Sequence, residues 1–277
     1  MTRSLAALRR AFAEELRVAG PVKRNPRILA AFAKVPREQF MPPGPWWIHG
    51  IVSHRTPDAD PAWLCHNTLV AIDRRKGINN GSPAFWAFLF DHLDIKPGER
   101  VFQVGTGTGY YTAILAELVG RAGRVTAVEY DKRLATAARK NLARLGHVTL
   151  VHGDASKIDP GPIDVIVAFA GGTHLPALWL DRLAPRGRLL MPLTADDTGG
   201  FMLRVTRRGR GFAAKALSVV WVFSAAGFRK KREAARLKEA MLPLKGKLPK
   251  LKALHLGPVP SGRKKKAFYA TRTFWLR

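Results

Sequence analysis

Glycine occupies every second position in one short segment that follows an apolar run. Gly105, Gly107 and Gly109 come directly after residues 101–104, and a second apolar run further along the chain ends in Glu129. A strand, a tight glycine turn, a helix start and an acid at the end of the next strand are typical of the first βαβ unit of a nucleotide-binding α/β fold. The alternative is a glycine-rich surface turn with a solvated acid at a strand end.

The spacing of these glycines favours a ligand that has no phosphate. Dinucleotide-binding folds use the pattern G-x-G-x-x-G, in which the backbone approaches a pyrophosphate. This chain has G-x-G-x-G, and Tyr110 stands where the last dinucleotide glycine would be. We therefore predict S-adenosylmethionine as the cofactor. Its carboxylate would bind backbone N–H groups at the start of the helix from Tyr110, and Glu129 would accept hydrogen bonds from the ribose hydroxyls.

A third apolar run, residues 148–152, is followed closely by Asp154. A carboxylate at this position can accept a hydrogen bond from the exocyclic amine of adenine, although an Asp in a turn is also common after any strand. Together with the glycine segment, this residue completes the predicted cofactor site, which comprises Gln103, Gly105, Thr106, Gly107, Gly109, Tyr110, Glu129, Asp154 and Ala155.

The residues after the fourth predicted strand bear on the methyl acceptor. Enzymes that methylate base amines typically have an Asn/Asp-Pro-Pro-aromatic segment there, whereas this chain has Ala-Phe-Ala-Gly-Gly at residues 168–172. A carboxylate acceptor is ionised at neutral pH and needs positioning rather than a general base. The sequence therefore favours a carboxylate acceptor. His174 follows this segment and can orient a carboxylate, act as a base or cap the helix predicted from Leu175.

The elements that position these residues alternate along the chain. We predict helices at residues 3–18, 26–34, 84–93, 132–145, 175–183 and about 230–241, and strands at residues 101–104, 125–129, 148–152, 163–169, 187–193, 201–206, 212–223 and 267–276. Helices between apolar strands indicate a mostly parallel sheet with helices on both faces. The last three strands are expected to pair antiparallel at the sheet edge. Residues 41–81 show little periodicity.

We divide the chain into three segments on this basis. Residues 1–95 hold N-terminal helices and a loop for substrate and cofactor, residues 96–210 form an S-adenosylmethionine-binding α/β core, and residues 211–277 are a basic C-terminal extension that completes the sheet edge. No apolar run approaches the roughly 20 residues that a membrane-spanning helix needs.

The single cysteine narrows the possible chemistry. Cys65 alone can form neither an intrachain disulfide nor a cysteine-based zinc site, and His54 and His66 lack a second pair of residues at ligand spacing. We therefore predict that the protein binds no metal. A free thiol suits a reducing compartment, and the first residues lack the apolar segment of a secretory signal, so we expect a cytoplasmic protein.

Net charge is the strongest feature of the composition. The 277 residues carry a formal charge of +27, and residues 229–277 contain sixteen Lys and Arg against Glu233 and Glu239. Such a surface attracts polyanions, among them nucleic acid, acidic peptides and anionic lipid head groups. The alternative is a solvated basic tail. Aromatic residues are not interleaved with the cations as they are in RNA-stacking surfaces. The charge is therefore evidence about how the protein meets its partners, and not about the reaction that it catalyses.

The chain resembles the protein-L-isoaspartate O-methyltransferase family from about residue 15 to 205. The resemblance rests on Val-Pro-Arg-Glu-Gln-Phe at residues 35–40, the glycine segment, His-Gly-Asp at residues 152–154 and Gly-Arg-Leu at residues 187–189. It implies an α/β, Rossmann-like class I methyltransferase fold, S-adenosylmethionine as cofactor, and methylation of an aspartyl-derived carboxylate in a protein or peptide substrate.

The family has a Thr-Ile-Ser segment at its reaction centre, where this chain has Asn79, Asn80 and Gly81, followed by Ser82. The chain departs from the family at this point, but the amides of Asn79 and Asn80 can donate hydrogen bonds to an acceptor carboxylate, and Ser82 can supply a hydroxyl one position later. The alternatives are a turn before Gly81 and a helix cap at Ser82. Two other functions stay open: an RNA- or ribosome-associated methyltransferase, suggested by the charge, and a non-catalytic S-adenosylmethionine-binding module.

Overall fold

The computed structural model describes residues 4–195 and 199–277. Within these residues the α-helices are α1 (Leu5–Ala19), α2 (Arg27–Lys34), α3 (Pro83–Leu93), α4 (Tyr110–Val119), α5 (Lys132–Leu142), α6 (Ala177–Arg182) and α7 (Lys231–Met241).

The strands fall into a small sheet and a large one. The small sheet contains β1 (Trp47–His49), β2 (His54–Arg55), β3 (Leu69–Asp73) and β4 (Ile78–Asn79). The large sheet contains β5 (Arg100–Val104), β6 (Arg124–Glu129), β7 (Val148–His152), β8 (Ile163–Ala168), β9 (Leu183–Ala195), β10 (Gly199–Arg208), β11 (Gly211–Val220), β12 (Ala253–Leu256), β13 (Tyr269–Ala270) and β14 (Phe274–Leu276).

The chain forms two compact units that alternate along the sequence. The first unit consists of Met1–Gly98, Thr106–Val125 and Asp131–Leu150, and the second of Glu99–Gly105, Thr126–Tyr130 and Val151–Arg277. The organisation into segments 1–95, 96–210 and 211–277 stays a prediction.

Aromatic packing holds the helices of the first unit together. The apolar stripe of α1 buries Phe12, whose ring meets Phe32 of α2 edge-on at 6.3 Å. The same Phe32 ring contacts Tyr110 and Tyr111 at the start of α4. Such edge-to-face pairs add to the free energy that burial of the rings already provides. Tyr110 therefore lies in the core of this unit.

The small sheet of the first unit corrects the expectation of little regular structure in residues 41–81. Its strands are two to five residues long and follow the order β2-β1-β3-β4, and all pairs are antiparallel. Trp46, Leu64 and Val70 form its apolar cluster. Strands this short contain too few alternating positions for a periodicity to be visible in the sequence.

The order of the large sheet is β13-β14-β12-β11-β10-β9-β8-β5-β6-β7. β8 pairs parallel with both β5 and β9, and it is an almost continuous buried run, as expected for a parallel strand covered on both faces. The chain progresses outward from β5 on one side and from β8 on the other. The point between β5 and β8 is therefore a topological switch point, where ligands of open α/β sheets bind.

Strands from the C-terminal part of the chain extend one end of this sheet. β10 pairs antiparallel with β9 and β11, and β12 to β14 continue the antiparallel pairing. The predicted edge strands and the basic helix α7 are therefore confirmed. β12 was not predicted, and the predicted strand 267–276 is divided by a turn at Thr271, whose hydroxyl accepts hydrogen bonds from the backbone N–H groups of Thr273 and Phe274.

Candidate active site

Backbone hydrogen bonds bring four strand ends of the second unit side by side. The N–H of Gly105 donates to Val128 O at 2.9 Å, and the N–H of Gly153 donates to Glu129 O at 2.9 Å. On the other side of β5, the N–H of Phe169 donates to the carbonyl oxygen of Val104 at 2.8 Å. The carboxyl ends of β5, β6, β7 and β8 thus lie side by side along one edge of the sheet. Gln103, Glu129 and Asp154 lie at this edge, which includes the switch point between β5 and β8.

Two predicted cofactor residues are buried at this edge. Glu129 is the last residue of β6 and is only 7% exposed. Gln103 is fully buried, and its Nε2 donates to Gly105 O at 3.3 Å. Both side chains thus lie at the edge of the sheet where the sequence predicts the cofactor, and the ribose contact of Glu129 stays a prediction.

The three glycines of the loop adopt conformations that other residues rarely reach. Their φ angles are +81° at Gly105, +58° at Gly107 and +98° at Gly109. In the second unit, a Cβ on Gly105 would lie 3.4 Å from Phe169 Cβ. In the first unit, a Cβ on Gly109 would lie 3.0 Å from Leu142 Cγ. Glycine is required here because the left-handed backbone disfavours a side chain.

Thr106 and Tyr110 of the same loop have different environments in the first unit. Thr106 is buried, and its hydroxyl has no hydrogen-bond partner among the described residues. It is an unsatisfied polar atom next to the start of a helix, which fits a loop that holds a polar ligand. Tyr110 points into the aromatic core, where burial raises the pKa of its hydroxyl. Its hydroxyl is buried without a hydrogen-bond partner among the described residues, and its backbone N–H lies at the start of α4.

Asp154 has a structural role in the second unit in addition to any contact with adenine. Its Oδ1 accepts from Ser156 N at 2.9 Å and from Ser156 Oγ at 2.7 Å, and it thereby caps the short 3-10 helix Ala155–Lys157. Ala155 is buried directly behind it. Gly227 packs on the same carboxylate, because a Cβ there would lie 2.7 Å from Oδ1. The sequence gives no local signal for this contact with the C-terminal region.

The predicted acceptor loop belongs to the first unit, and two of its side chains already have partners. Asn79 Oδ1 accepts from the N–H of Gly81 at 2.9 Å, which is a turn. Ser82 Oγ accepts from Phe85 N at 3.4 Å and donates to Asn67 Oδ1 at 3.1 Å, which is a cap at the start of α3. The side chain of Asn79 thus forms the turn before Gly81, and that of Ser82 forms the helix cap, as the alternatives to an acceptor role state.

Asn80 differs from its neighbours because one half of its amide is unsatisfied. Its Oδ1 accepts from Arg37 Nη2 at 2.9 Å and from Val70 N at 3.1 Å. Two donors on the same oxygen fix the orientation of the amide, so Nδ2 is the atom that remains. Nδ2 is buried and has no hydrogen-bond partner in the described part of the chain, and the residue is 8% exposed.

Arg37 is a residue of this site that the sequence identified only as part of a family motif. Its guanidinium is buried and donates to three backbone carbonyls, those of Leu64, His66 and Thr68, as well as to Asn80. Burial lowers its pKa, although arginine stays charged. Its partners in the part of the chain that the structure describes are all neutral, so none of the described carboxylates is bonded to this positive charge.

His174 lies in the second unit and is not a helix cap, because α6 begins only at Ala177. Its Nδ1 is 3.1 Å from Glu233 Oε2 of α7.

The described residues contain no group of three or more His, Cys, Asp or Glu side chains that could hold a metal ion. Likewise, none of their helices combines the length and apolar character that crossing a membrane requires.

Comparison with known sequences gives consistent matches. The family model described as Protein-L-isoaspartate(D-aspartate) O-methyltransferase matches residues 66–226. The chain is 36% identical over 188 residues to protein-L-isoaspartate O-methyltransferase 1 of Rhodopseudomonas palustris, covering 66% of this chain and 69% of the relative. It is 34% identical over 185 residues to the Methanopyrus kandleri enzyme of the same name, covering 65% and 74%.

Solved structures show the same fold. A protein-L-isoaspartate O-methyltransferase structure superimposes with a TM-score of 0.67 at 19% identity, covering 97% of this chain and 87% of that one. A Plasmodium falciparum structure named as a beta-aspartate methyltransferase, in complex with S-adenosyl-L-homocysteine, gives a TM-score of 0.63 at 21% identity, covering 80% and 98%. The chain therefore belongs to the protein-L-isoaspartate(D-aspartate) O-methyltransferase family, and it is an S-adenosylmethionine-dependent methyltransferase.

Proposed function

We propose that this chain transfers the methyl group of S-adenosylmethionine to the free carboxylate of isoaspartyl or D-aspartyl residues in proteins and peptides. The observation that carries the proposal is Asn80. Its Nδ2 is a buried donor with a fixed orientation and no hydrogen-bond partner among the described residues. An unmet buried donor is costly, and an acceptor carboxylate would satisfy it. The names of the family and of the relatives support the same substrate class.

We assign the cofactor to the residues predicted from the sequence. Glu129 would accept from the ribose hydroxyls, Asp154 and Ala155 would contact the adenine, and Gln103 and Thr106 would bind the methionine part with the first N–H groups of α4, from Tyr110. Gly105, Gly107 and Gly109 would let the backbone approach it. When bound, S-adenosylmethionine supplies a methyl group on a positively charged sulfur.

On the acceptor side, the chain has to position a carboxylate rather than activate it. An aspartyl carboxylate is ionised at neutral pH, so no general base is required. Asn80 Nδ2 would donate to one carboxylate oxygen, and the buried charge of Arg37 would favour an anion at this position. Asn79 and Ser82 would shape the loop, because their side chains form the turn and the helix cap that fix Asn80.

The deciding experiment uses S-adenosylmethionine with a labelled methyl group and two peptides that differ only in one isoaspartyl or aspartyl residue. We expect label on the isoaspartyl peptide alone, released as methanol by mild base. Label that resists base would exclude a carboxyl ester. Cofactor binding without transfer to either peptide or to any lysate fraction would instead indicate a non-catalytic binding module.

A second candidate function, methylation of RNA, is favoured by the exposed cations of the second unit. From residue 229 onward the only carboxylate side chains are Glu233, which is buried, and Glu239. The exposed cations include Lys231, Arg232, Arg236, Lys245, Lys247, Lys250, Lys252, Arg263, Lys264, Lys265, Lys266, Arg272 and Arg277. Such a surface would hold a polyanion such as nucleic acid. Base-stable label on RNA in the same assay would support this candidate.

We also propose a cytoplasmic location. The support is Cys65, a buried free thiol that is the only cysteine of the chain and suits a reducing compartment. Fractionation of cells that express a tagged full chain would test it.

A further inference from the structure

A buried cluster of polar side chains in the second unit is not used by the proposed chemistry. Glu233 of α7 is only 6% exposed. Its Oε2 lies 3.1 Å from His174 Nδ1 and 3.3 Å from Thr173 Oγ1, and its Oε1 lies 3.7 Å from Lys230 Nζ. The carboxylate therefore has three partners, as a buried charge requires.

Further hydrogen bonds hold the backbone of this cluster in place. Tyr269 donates its hydroxyl proton to Thr173 O at 2.5 Å, and the N–H of Lys230 donates to Thr173 Oγ1 at 3.1 Å. A Cβ on Gly172 would lie 2.6 Å from Phe228 Cβ, so the segment before His174 is also tightly packed. The imidazole is thus attached to a fixed support rather than to a mobile loop.

One atom of the imidazole has no partner in the described residues. Nδ1 faces Glu233, so in the neutral ring Nδ1 carries the proton and Nε2 has the free lone pair. The side chain is 12% exposed, and Nε2 is not among the buried atoms that lack a partner, so it reaches solvent. Burial and the charge of Lys230 lower the pKa of His174 against the opposing effect of Glu233. The ring is therefore a neutral hydrogen-bond acceptor at pH 7.

His174 follows the carboxyl end of β8, at the edge of the sheet where the predicted cofactor acids lie. This end of β8 packs against the cofactor loop through Phe169 and Gly105. The segment between β8 and His174 pairs with Phe223, because the N–H of Gly171 donates to Phe223 O at 2.7 Å. Phe223 and Trp221 are exposed aromatic side chains. Exposed aromatic side chains of this kind are enriched where proteins bind other polypeptides.

We propose that His174 determines specificity for the peptide acceptor, with Nε2 accepting a hydrogen bond from a backbone N–H of the substrate. Glu233 is the positioning residue that fixes the tautomer of the ring. This inference rests on the proposed function, because the acceptor must be a polypeptide. It gives the C-terminal extension a role in substrate binding, because Glu233 of α7 positions His174.

The contact has a defined pH dependence. Protonation turns Nε2 into a donor, so a peptide N–H can no longer bind it. The charged groups that face the ring are Glu233 of α7 and Lys230, which directly precedes that helix, and Tyr269 stays neutral because burial raises its pKa. Because the pKa of His174 is below its ordinary value, the contact is present at neutral pH, and the KM for the peptide is expected to rise as pH falls from about 8 to about 5.

Two variants test the roles of the two ring nitrogens separately. His174→Asn retains a donor near Nδ1 and has no acceptor at Nε2, whereas His174→Gln restores an acceptor near Nε2. We expect the Asn variant to raise the KM for an isoaspartyl peptide about three- to tenfold, since a hydrogen bond contributes roughly 0.5–1.5 kcal/mol, with kcat and cofactor affinity unchanged. The Gln variant should recover most of the affinity. The KM of the Asn variant should no longer vary with pH.

Three controls make the outcome decisive. His255→Asn alters another half-buried histidine of the second unit, which stacks on Trp275, and should leave KM unchanged. Glu233→Gln should change the tautomer populations of His174, measured from the nitrogen chemical shifts of the ring, in the folded protein. Thermal unfolding checks that each variant is folded.

Failure of the proposed function and failure of the inference about His174 give different results. If the wild-type chain places no base-labile label on the peptide, the proposed function fails and this inference fails with it. If labelling occurs but His174→Asn has the KM and the pH profile of the wild type, the inference alone is overturned.

Discussion

At Asn80, two donors fix the amide oxygen, whereas the amide nitrogen has no hydrogen-bond partner in residues 4–195 and 199–277. Asn80→Asp is nearly isosteric, and its carboxylate would bind Arg37 while repelling an acceptor carboxylate. We expect the fold to be kept and kcat/KM to fall roughly 100-fold, since the lost donor and the added repulsion together cost about 3 kcal/mol. Steady-state kinetics and thermal unfolding measure both. Asn79→Asp is the matched control, and an equal loss there would remove the special role of Asn80.

Glu129 is the residue that tests the cofactor site directly. Glu129→Gln retains size and burial but replaces a charged acceptor by a neutral one. We expect the dissociation constant of S-adenosylhomocysteine to rise about tenfold or more, because a hydrogen bond to a buried charge contributes roughly 1.5–3 kcal/mol. Calorimetric titration gives the value. Glu117→Gln, at a surface acid of α4 that pairs with Lys34, should bind like the wild type. Unchanged binding by the Glu129 variant would contradict the assignment.

Cys65 allows a test that does not depend on activity. Burial, and secondarily the charge of Glu38, raises the pKa of its thiol. The thiolate is the reactive form, so a raised pKa leaves the thiol protonated and slow to react at pH 8. We expect a chromogenic disulfide reagent to modify Cys65 at least tenfold more slowly in the folded chain than in urea. Equal rates would mean that this part of the first unit is open to solvent.

At the scale of elements, local signals were sufficient for the cofactor loop. The strand β5, the glycine turn and the start of α4 are adjacent in sequence, and each glycine has a positive φ that the sequence pattern anticipates. The antiparallel strands β10 and β11 were also recognisable, because they are long and joined by a short turn.

Contacts between distant segments were not predictable. Gly227 packs on Asp154, and Glu233 holds His174, but each pair joins the C-terminal region to the α/β core without any local pattern. Arg37 was visible in a motif, yet its burial and its bond to Asn80 depend on tertiary packing. The small sheet was missed for a different reason, since its strands are too short to show a period.

The hairpin of β3 and β4 gives a prediction at this scale. Its turn forms ion pairs with the start of α5, Asp73 with Arg133 and Lys76 with Asp131, and its Ile72 lies near Gly107. Exposed pairs contribute roughly 0.2–1 kcal/mol each. Arg133→Glu should therefore increase amide hydrogen exchange in the hairpin by up to about fivefold. Asp73 itself is kept, because its Oδ1 also accepts from the N–H groups of Arg75 and Lys76 in the turn. Arg133→Lys, which keeps the charge, should retain protection, and equal exchange in the two variants would show that this charge does not hold the hairpin.

At the scale of the whole molecule, the predicted cofactor acids and the exposed cations lie in different parts of the chain. The predicted cofactor acids Glu129 and Asp154 lie at the carboxyl ends of β6 and β7, whereas the exposed cations are concentrated after residue 229. The extension therefore combines an inner face that holds His174 through Glu233 with an outer surface that is almost free of carboxylates. The inner face is expected to affect the KM for a peptide, and the outer surface is expected to affect the binding of polyanions. The two properties can therefore be tested separately.

The outer surface leads to a prediction for the full chain and single-stranded RNA. The short 3-10 helix Ser261–Lys266 presents four consecutive exposed cations, Arg263, Lys264, Lys265 and Lys266. If they contact phosphates, binding releases counterions, and affinity falls with a slope of about −0.7 per contact on logarithmic axes. Replacing all four by Gln should weaken binding at low salt and reduce the salt slope by up to about 3. Replacing Arg10, Lys23, Arg139 and Lys140 of the first unit, which are equally exposed, removes the same charge elsewhere. Equal changes in the two variants would mean that net charge alone attracts RNA and that the extension holds no specific surface for it.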